Sequence, residues 1–140
     1  GECVEKTIEE FKNIKMELIF VYGTLRTGFG NNRMLEDSKL IDVARTMEEY
    51  AMYDGGVPYV SYGEKVSQIY GELYEVDERT LLAIDMLEGH PVFYNRKKAF
   101  VETLKGGVVR AWLYFNETKT DNLIKSGDYA EQRKHARNQI

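Results

Sequence analysis

Cysteine is almost absent. Cys3 is the only one in 140 residues, so no intrachain disulfide can form. It has no partner cysteine or group of histidines for a structural zinc site, and a reducing compartment fits this composition. Histidine is as scarce: His90 and His135 are not spaced as a metal pair. With no Asp/Glu/His cluster of ligand spacing, no metal is expected. Long hydrophobic runs are missing too. No segment approaches the roughly 20 apolar residues that span a bilayer, and residues 1–15 mix acids and bases without a signal-peptide core. The expectation is a cytoplasmic protein with no membrane partner. Positive charge is not in excess. The net charge of −4 leaves no surplus of cations to displace counterions, which argues against a nucleic-acid partner. There is no Gly-x-Ser-x-Gly nucleophile motif and no glycine loop ending in Gly-Lys-Thr/Ser.

What is present is an ordinary globular balance, 43% hydrophobic and 30% charged, in a length that suits one domain with one core. The apolar run at residues 18–21 reads as a buried strand, and Gly23 breaks it. The loop that follows, with Thr24, Thr27, Gly28 and Gly30, is either a plain turn or a nest of backbone N–H groups for a carboxylate or phosphate oxygen. Asn31 is placed to cap a short helix that turns Met34 and Leu35 inward. Residues 39–54 read as extended, Asp54-Gly55-Gly56 as a turn, and residues 57–60 as a strand whose Pro58 sits at an edge or a start. The longest strand is expected at residues 66–76, with Ile69, Gly71 and Leu73 on one face and Tyr70 and Tyr74 on the other. Asp77 caps a helix over residues 78–88, Gly89 ends it, and Pro91 prevents continuation. Strands at residues 92–104 and 108–115 join across Gly106-Gly107, a pair suited to a two-residue hairpin turn.

This pattern predicts an α+β domain, a small twisted mixed barrel-like sheet with a few short helices. Residues 1–16 form an arm or short amphipathic helix carrying Val4, Ile8 and Phe11. Residues 17–116 form the domain, and the polar residues 117–140 read as a loop, with or without a short helix, and a partly mobile tail.

Glu88 is the leading candidate for chemistry. It lies four and seven residues after Ile84 and Leu81, on their face of a helix that reads as apolar almost all round. Buried there, its pKa would rise and it could accept and return a proton; the alternative is a helix-end glutamate in solvent. Asp85 is a second acid, a surface residue or a partner for Arg96. Arg96 itself could grip a substrate carboxylate or form an ordinary ion pair. Most of the ten tyrosines belong to the core or sheet faces, and Tyr22, Tyr94 and Tyr114 could wall a pocket.

Two blocks carry a resemblance. Val21-Tyr22-Gly23-Thr24-Leu25, followed by Gly28, Asn31 and Leu35, is similar to the opening signature of the γ-glutamylcyclotransferase-like family. Tyr70-Gly71-Glu72-Leu73-Tyr74, Val76-Asp77, Asp85, Leu87-Glu88-Gly89, Pro91, Tyr94 and Arg96 match the same family in the same order, most closely its γ-glutamylamine cyclotransferase branch. The resemblance implies a compact barrel-like fold with its site at one mouth, between the first loop and the Glu88 helix end. It also implies release of 5-oxoproline and a free amine from a γ-glutamyl amide. Glu88 would be the catalytic residue, with Tyr22, Gly23, Thr24, Leu25, Tyr94 and Tyr114 binding the small-molecule substrate and no metal or organic cofactor. The other reading is a non-catalytic module that binds a small amino-acid-like carboxylate in the same pocket. The motifs specify neither the leaving amine nor the oligomeric state.

Overall fold

Alternation along the first strand sorts the molecule into two apolar layers. In β1 (Met16–Val21), Phe20 faces one way and Ile19 and Val21 the other, as the two-residue period of a strand requires. Phe20 joins Ala44, Leu73, Val101, Ala111 and Leu113, one or two side chains from each strand of a closed barrel. Ile19 and Val21 join Tyr74, Val76, Leu81, Ile84 and Tyr114 in an outer layer between the barrel wall and a helix. The computed structural model describes residues 15–138. The amphipathic stretch expected at residues 3–14, with Cys3, lies outside the described residues.

The barrel comprises β1, β2 (Lys39–Thr46), β5 (Tyr70–Asp77), β6 (Asn95–Thr103) and β7 (Val108–Phe115), in the order β1-β5-β2-β6-β7. Neighbours are antiparallel, with Phe20 opposite Leu73, except that β7 closes the barrel against β1 in parallel, Trp112 opposite Ile19. The fold is the α+β barrel-like sheet that the pattern predicts. A separate hairpin of β3 (Ala51–Asp54) and β4 (Pro58–Ser61) adds Met52 and Val60 to the inner core.

The helix α1 (Glu78–Glu88) has the bounds its end signals predict. The Asp77 carboxylate accepts from the Thr80 N–H at 2.7 Å. Gly89 takes the left-handed conformation, φ 66°, that a side chain at the helix end would resist. Its apolar surface is not all buried: Leu81, Ile84 and Asp85 face the barrel, whereas Leu82 and Met86 are open to solvent. No described helix is long and apolar enough to cross a membrane.

Four sequence expectations are corrected. The strand expected from residue 66 begins at Tyr70, because Ser67 leaves the barrel to pair with Tyr50, and at 8 residues it is shorter than the 9-residue β6. Only Gly106 of the Gly106-Gly107 pair has positive φ, and the turn is longer than two residues, with the Thr103 N–H donating to Gly107 O at 2.8 Å. Asn31 does not cap a helix; it lies inside a short 3-10 helix, Gly30–Leu35, whose N-cap is Phe29. Finally, residues 117–133 are not a loose polar tail. Ile124 and Tyr129 are 1% exposed and belong to the inner core, where each such side chain stabilises by about 1.5–3 kcal/mol. Tyr129 opens the helix α2 (Tyr129–Asn138). Two large apolar side chains spread among polar neighbours give no periodic signal, so the sequence hides their burial.

Candidate active site

β1 delivers its last residues to the barrel mouth, and the loop after it is stapled on both sides. The Arg26 guanidinium pairs with Asp128 at 2.9 Å. The Thr27 N–H and hydroxyl both donate to the Glu72 carboxylate, at 2.8 and 3.1 Å. Asn31 Nδ2 donates to Thr24 Oγ1 at 2.8 Å, and Asn32 Nδ2 to the Leu25 carbonyl at 2.8 Å. The loop is therefore preorganised. Among the described residues, the N–H groups of Gly23, Thr24 and Leu25 have no protein acceptor. These three consecutive residues line a cavity of about 210 Å³.

Across the cavity stands Glu88, on the last turn of α1. The structure brings together the residues expected to catalyse or bind: Tyr22, Gly23, Thr24, Leu25, Glu88, Tyr94 and Tyr114 all line this one cavity, whereas Asp85 and Arg96 do not. Phe20, Val21, Asn31, Val57, Pro58, Leu87 and Phe93 also line it, and none of them was expected to bind substrate. Pro58 and Val57 come from the β3–β4 hairpin, remote in sequence. Phe93 arrives because its N–H bonds Gly89 O at 2.9 Å, folding the chain after α1 back over Glu88.

The chemistry of the cavity is lopsided. Among the described residues, Glu88 is the only charged one that lines it. Burial lifts the Glu88 carboxyl to a pKa of about 7, because desolvation disfavours its ionised form. Tyr22, Tyr94 and Tyr114 are all raised, first by burial, with the Glu88 charge adding to each. They stay neutral phenols. Each phenol has one proton, and each proton is already committed: Tyr22 donates to the Tyr114 carbonyl, Tyr94 to the Pro58 carbonyl at 2.9 Å, and Tyr114 to Asp85. Toward a ligand these side chains can only accept. The cavity thus offers donors on the loop side and acceptors around Glu88.

Asp85 and Arg96 are not substrate groups. Arg96 Nε and a terminal nitrogen hold the two Asp85 oxygens at 2.8 and 3.1 Å, and the guanidinium stacks 4.2 Å from the Trp112 ring centre. Burial pushes the Asp85 carboxyl up, but the bonds from Arg96 and Tyr114 outweigh it and leave it below its ordinary value. The Asp85 carboxylate anchors Tyr114 behind the cavity wall; it is neither a surface residue nor a second acid in the pocket. Among the described residues no cluster of His, Cys, Asp and Glu is arranged to hold a metal ion.

Two expectations follow. The folded pKa of Glu88, about 7, lies above its ordinary 4.5, so the folded state binds the extra proton and stability falls as pH rises between these values. Glu88→Gln should match wild type at pH 4.5 and exceed it by about 2 kcal/mol at pH 8, after allowing for partial exposure. Urea unfolding at the two pH values checks this, and a pH-independent gap would show an ordinary carboxyl. The second concerns Gly23, which does not have positive φ. A Cβ there would lie 2.6 Å from Pro58 Cγ, so the requirement is close approach of the hairpin rather than room for a ligand. Gly23→Val should therefore lose about 1–3 kcal/mol of stability. Gly23→Ala combined with Pro58→Ala should melt above Gly23→Ala alone. If the second change brings no recovery, Pro58 is not the obstacle.

The chain is similar to known proteins over most of its length. Residues 19–131 match the family described as "Gamma-glutamyl cyclotransferase, AIG2-like". A Methanocaldococcus jannaschii protein provisionally named a gamma-glutamylcyclotransferase is 50% identical over 119 residues, covering 84% of this chain and 99% of its own. The gamma-glutamylaminecyclotransferase B of Danio rerio is 36% identical over 136 residues, covering 81% of this chain and 71% of its own. A crystal structure of an AIG2-like protein from Mus musculus superposes with a TM-score of 0.67 at 29% identity, over 76% of this chain and 80% of that one. The match runs through both cavity-forming segments, the loop after β1 and the end of α1, and the chain belongs to the gamma-glutamyl cyclotransferase, AIG2-like family.

Proposed function

We propose that this chain is a γ-glutamylamine cyclotransferase, converting a γ-glutamyl amide into 5-oxoproline and a free amine without a metal or organic cofactor. The observation that supports this is one cavity lined, among the described residues, by one carboxyl with a pKa of about 7 and by three residues whose backbone N–H groups have no protein acceptor. The N–H groups of Gly23, Thr24 and Leu25 hold the substrate α-carboxylate. The phenol oxygens of Tyr22, Tyr94 and Tyr114 accept from its α-ammonium.

Glu88 takes one proton from the α-ammonium. The α-ammonium is a weaker acid than the Glu88 carboxyl, and lifting that carboxyl from 4.5 to about 7 makes the transfer about 3 kcal/mol cheaper than it would be to an ordinary carboxylate. The freed amine attacks its own γ-carbonyl, a bond formed within one molecule held in attack geometry. Glu88 then returns its proton to the departing nitrogen as the old amide bond breaks. A second proton leaves the ring nitrogen as it becomes an amide and ends on the released amine.

Purified protein incubated with γ-glutamyl amides should yield 5-oxoproline and amine in equal amounts. Binding without 5-oxoproline would make the chain a module that holds an amino-acid-like carboxylate.

A further inference from the structure

Residues 120–129 tie down two walls of the cavity, yet none of them lines it. Their first half lies along the β3–β4 hairpin. The Thr120 hydroxyl donates to Asp54 O at 2.8 Å, the Asp54 N–H to Asn122 O at 2.9 Å, and the Ile124 N–H to Met52 O at 2.8 Å. That hairpin carries Val57 and Pro58 into the cavity, where Pro58 abuts Gly23. Ile124, buried in the inner core, pins this half in place.

The second half turns at Gly127, whose φ of 72° and whose closeness to the Gln68 carbonyl leave no room for a side chain. Gly127 O accepts from the Tyr70 N–H at 3.0 Å, which holds the turn against the start of β5. Asp128 and Tyr129 then meet the loop after β1. The Arg26 guanidinium pairs with Asp128 Oδ1 at 2.9 Å, and Phe29 packs on Tyr129 with ring centres 5.7 Å apart. Asp128 Oδ1 also accepts from the Ala130 and Glu131 N–H groups, at 3.1 and 3.3 Å, and so caps α2. The helix thus fixes the carboxylate that holds Arg26. Arg26 follows Leu25 directly, and its own N–H donates to Gly23 O at 3.0 Å, closing a turn around the residues assigned to the substrate carboxylate.

Building on the cyclotransferase reading, we propose that residues 120–129 are a strap that holds the loop after β1 and the β3–β4 hairpin around the substrate, and that Asp128, acting through Arg26, is a positioning residue for the α-carboxylate. Donors fixed before binding need no ordering when the substrate arrives, whereas a loop released from Asp128 must be ordered by the substrate itself, at a cost in affinity.

Arg26→Met removes the tie from the loop side and leaves Asp128 its two helix N–H groups, so no carboxylate is stranded. Asp128→Asn keeps the cap, since Asn serves there as well as Asp, and removes only the counter-charge of Arg26. In steady-state cyclisation of γ-glutamyl methylamide, Arg26→Met should raise KM about 10-fold, and Asp128→Asn should raise it less. The kcat value and its pH dependence, which report Glu88, should stay within about 2-fold of wild type, because the loop grips ground state and transition state alike. The double variant should be no worse than Arg26→Met, since both changes break one tie. Arg26→Lys should recover part of the loss. The same comparison on Asp128→Asn decides the matter if Arg26→Met fails to fold. An unchanged KM, with or without a lower melting temperature, or effects that add in the double variant, would overturn the inference and leave the pair purely structural. Calorimetric titration with the same amide separates this from the reaction. Wild-type protein that binds it without forming 5-oxoproline ends the cyclotransferase reading, and the loss in Arg26→Met should then appear in Kd. Wild-type protein that neither binds nor cyclises it overturns both.

Discussion

Glu88→Gln protein should fold, bind substrate and turn it over at least about 10²-fold more slowly, the usual loss when a general acid–base group is removed. The amide keeps the size of the carboxyl, and because Glu88 has no ion-pair partner among the described residues, no buried cation is stranded. Substrate binding should persist, since the α-carboxylate is assigned to the backbone of the opposite loop. The loss should therefore fall on kcat with little change in binding. Nor can a neighbour replace Glu88. Asp85 is held by Arg96, and the three phenols have pKa values raised far from neutrality. Glu88→Asp should also be slow, because one missing methylene withdraws the carboxyl from the reacting nitrogen. Near wild-type formation of 5-oxoproline by Glu88→Gln would rule out the proton shuttle.

Asp85→Asn should cost about 3 kcal/mol of stability, the lower end of the range for stranding one partner of a buried ion pair. The lower end applies because the Asp85 and Arg96 side chains keep 10% and 16% of their exposure. The variant leaves a guanidinium with no counter-charge and weakens the hydrogen bond that anchors Tyr114. Asp85→Leu with Arg96→Met should cost less than Asp85→Asn, because no charge is then left alone. The sign with pH follows: the folded pKa of Asp85 is below its ordinary 3.8, so the pair's stabilisation is present above that value and is lost as pH falls through the folded one. Urea unfolding of the three proteins checks the order. A loss under about 1 kcal/mol for Asp85→Asn would place the pair with exposed ones.

The contrast between Glu88 and Asp85 shows where sequence stops informing. Three residues apart on one helix, they differ in every property that matters, because Arg96 and Tyr114 reach one and not the other. Local signals were legible: Asp77 and Gly89 set the bounds of α1, and the break at Gly23 marked the loop after β1. The two motif blocks brought Glu88 and Gly23 to one mouth through resemblance, which supplied what spacing alone left open. Contacts across the chain were not legible. Pro58 approaches Gly23 from a hairpin 35 residues away, Tyr114 meets Asp85 across 29, and Arg26 meets Asp128 across 102. Phe93 carried no signal of its own in the sequence, and Leu87 only its place in the second motif block, yet the fold brings both to the cavity.

The parallel pairing of β1 with β7 has a consequence for synthesis. β1 emerges early, yet its two neighbours in the barrel are β5 and β7, which end at Asp77 and Phe115. At about 5–20 residues per second, its second edge waits several seconds for a partner. Throughout that interval the segment Leu18-Ile19-Phe20-Val21, uncharged and rich in strand formers, is free to pair with another copy of itself. By contrast β6 and β7 form a local hairpin and can zip as soon as they exist. The hazard in making this protein is thus concentrated in the very strand that carries the binding loop.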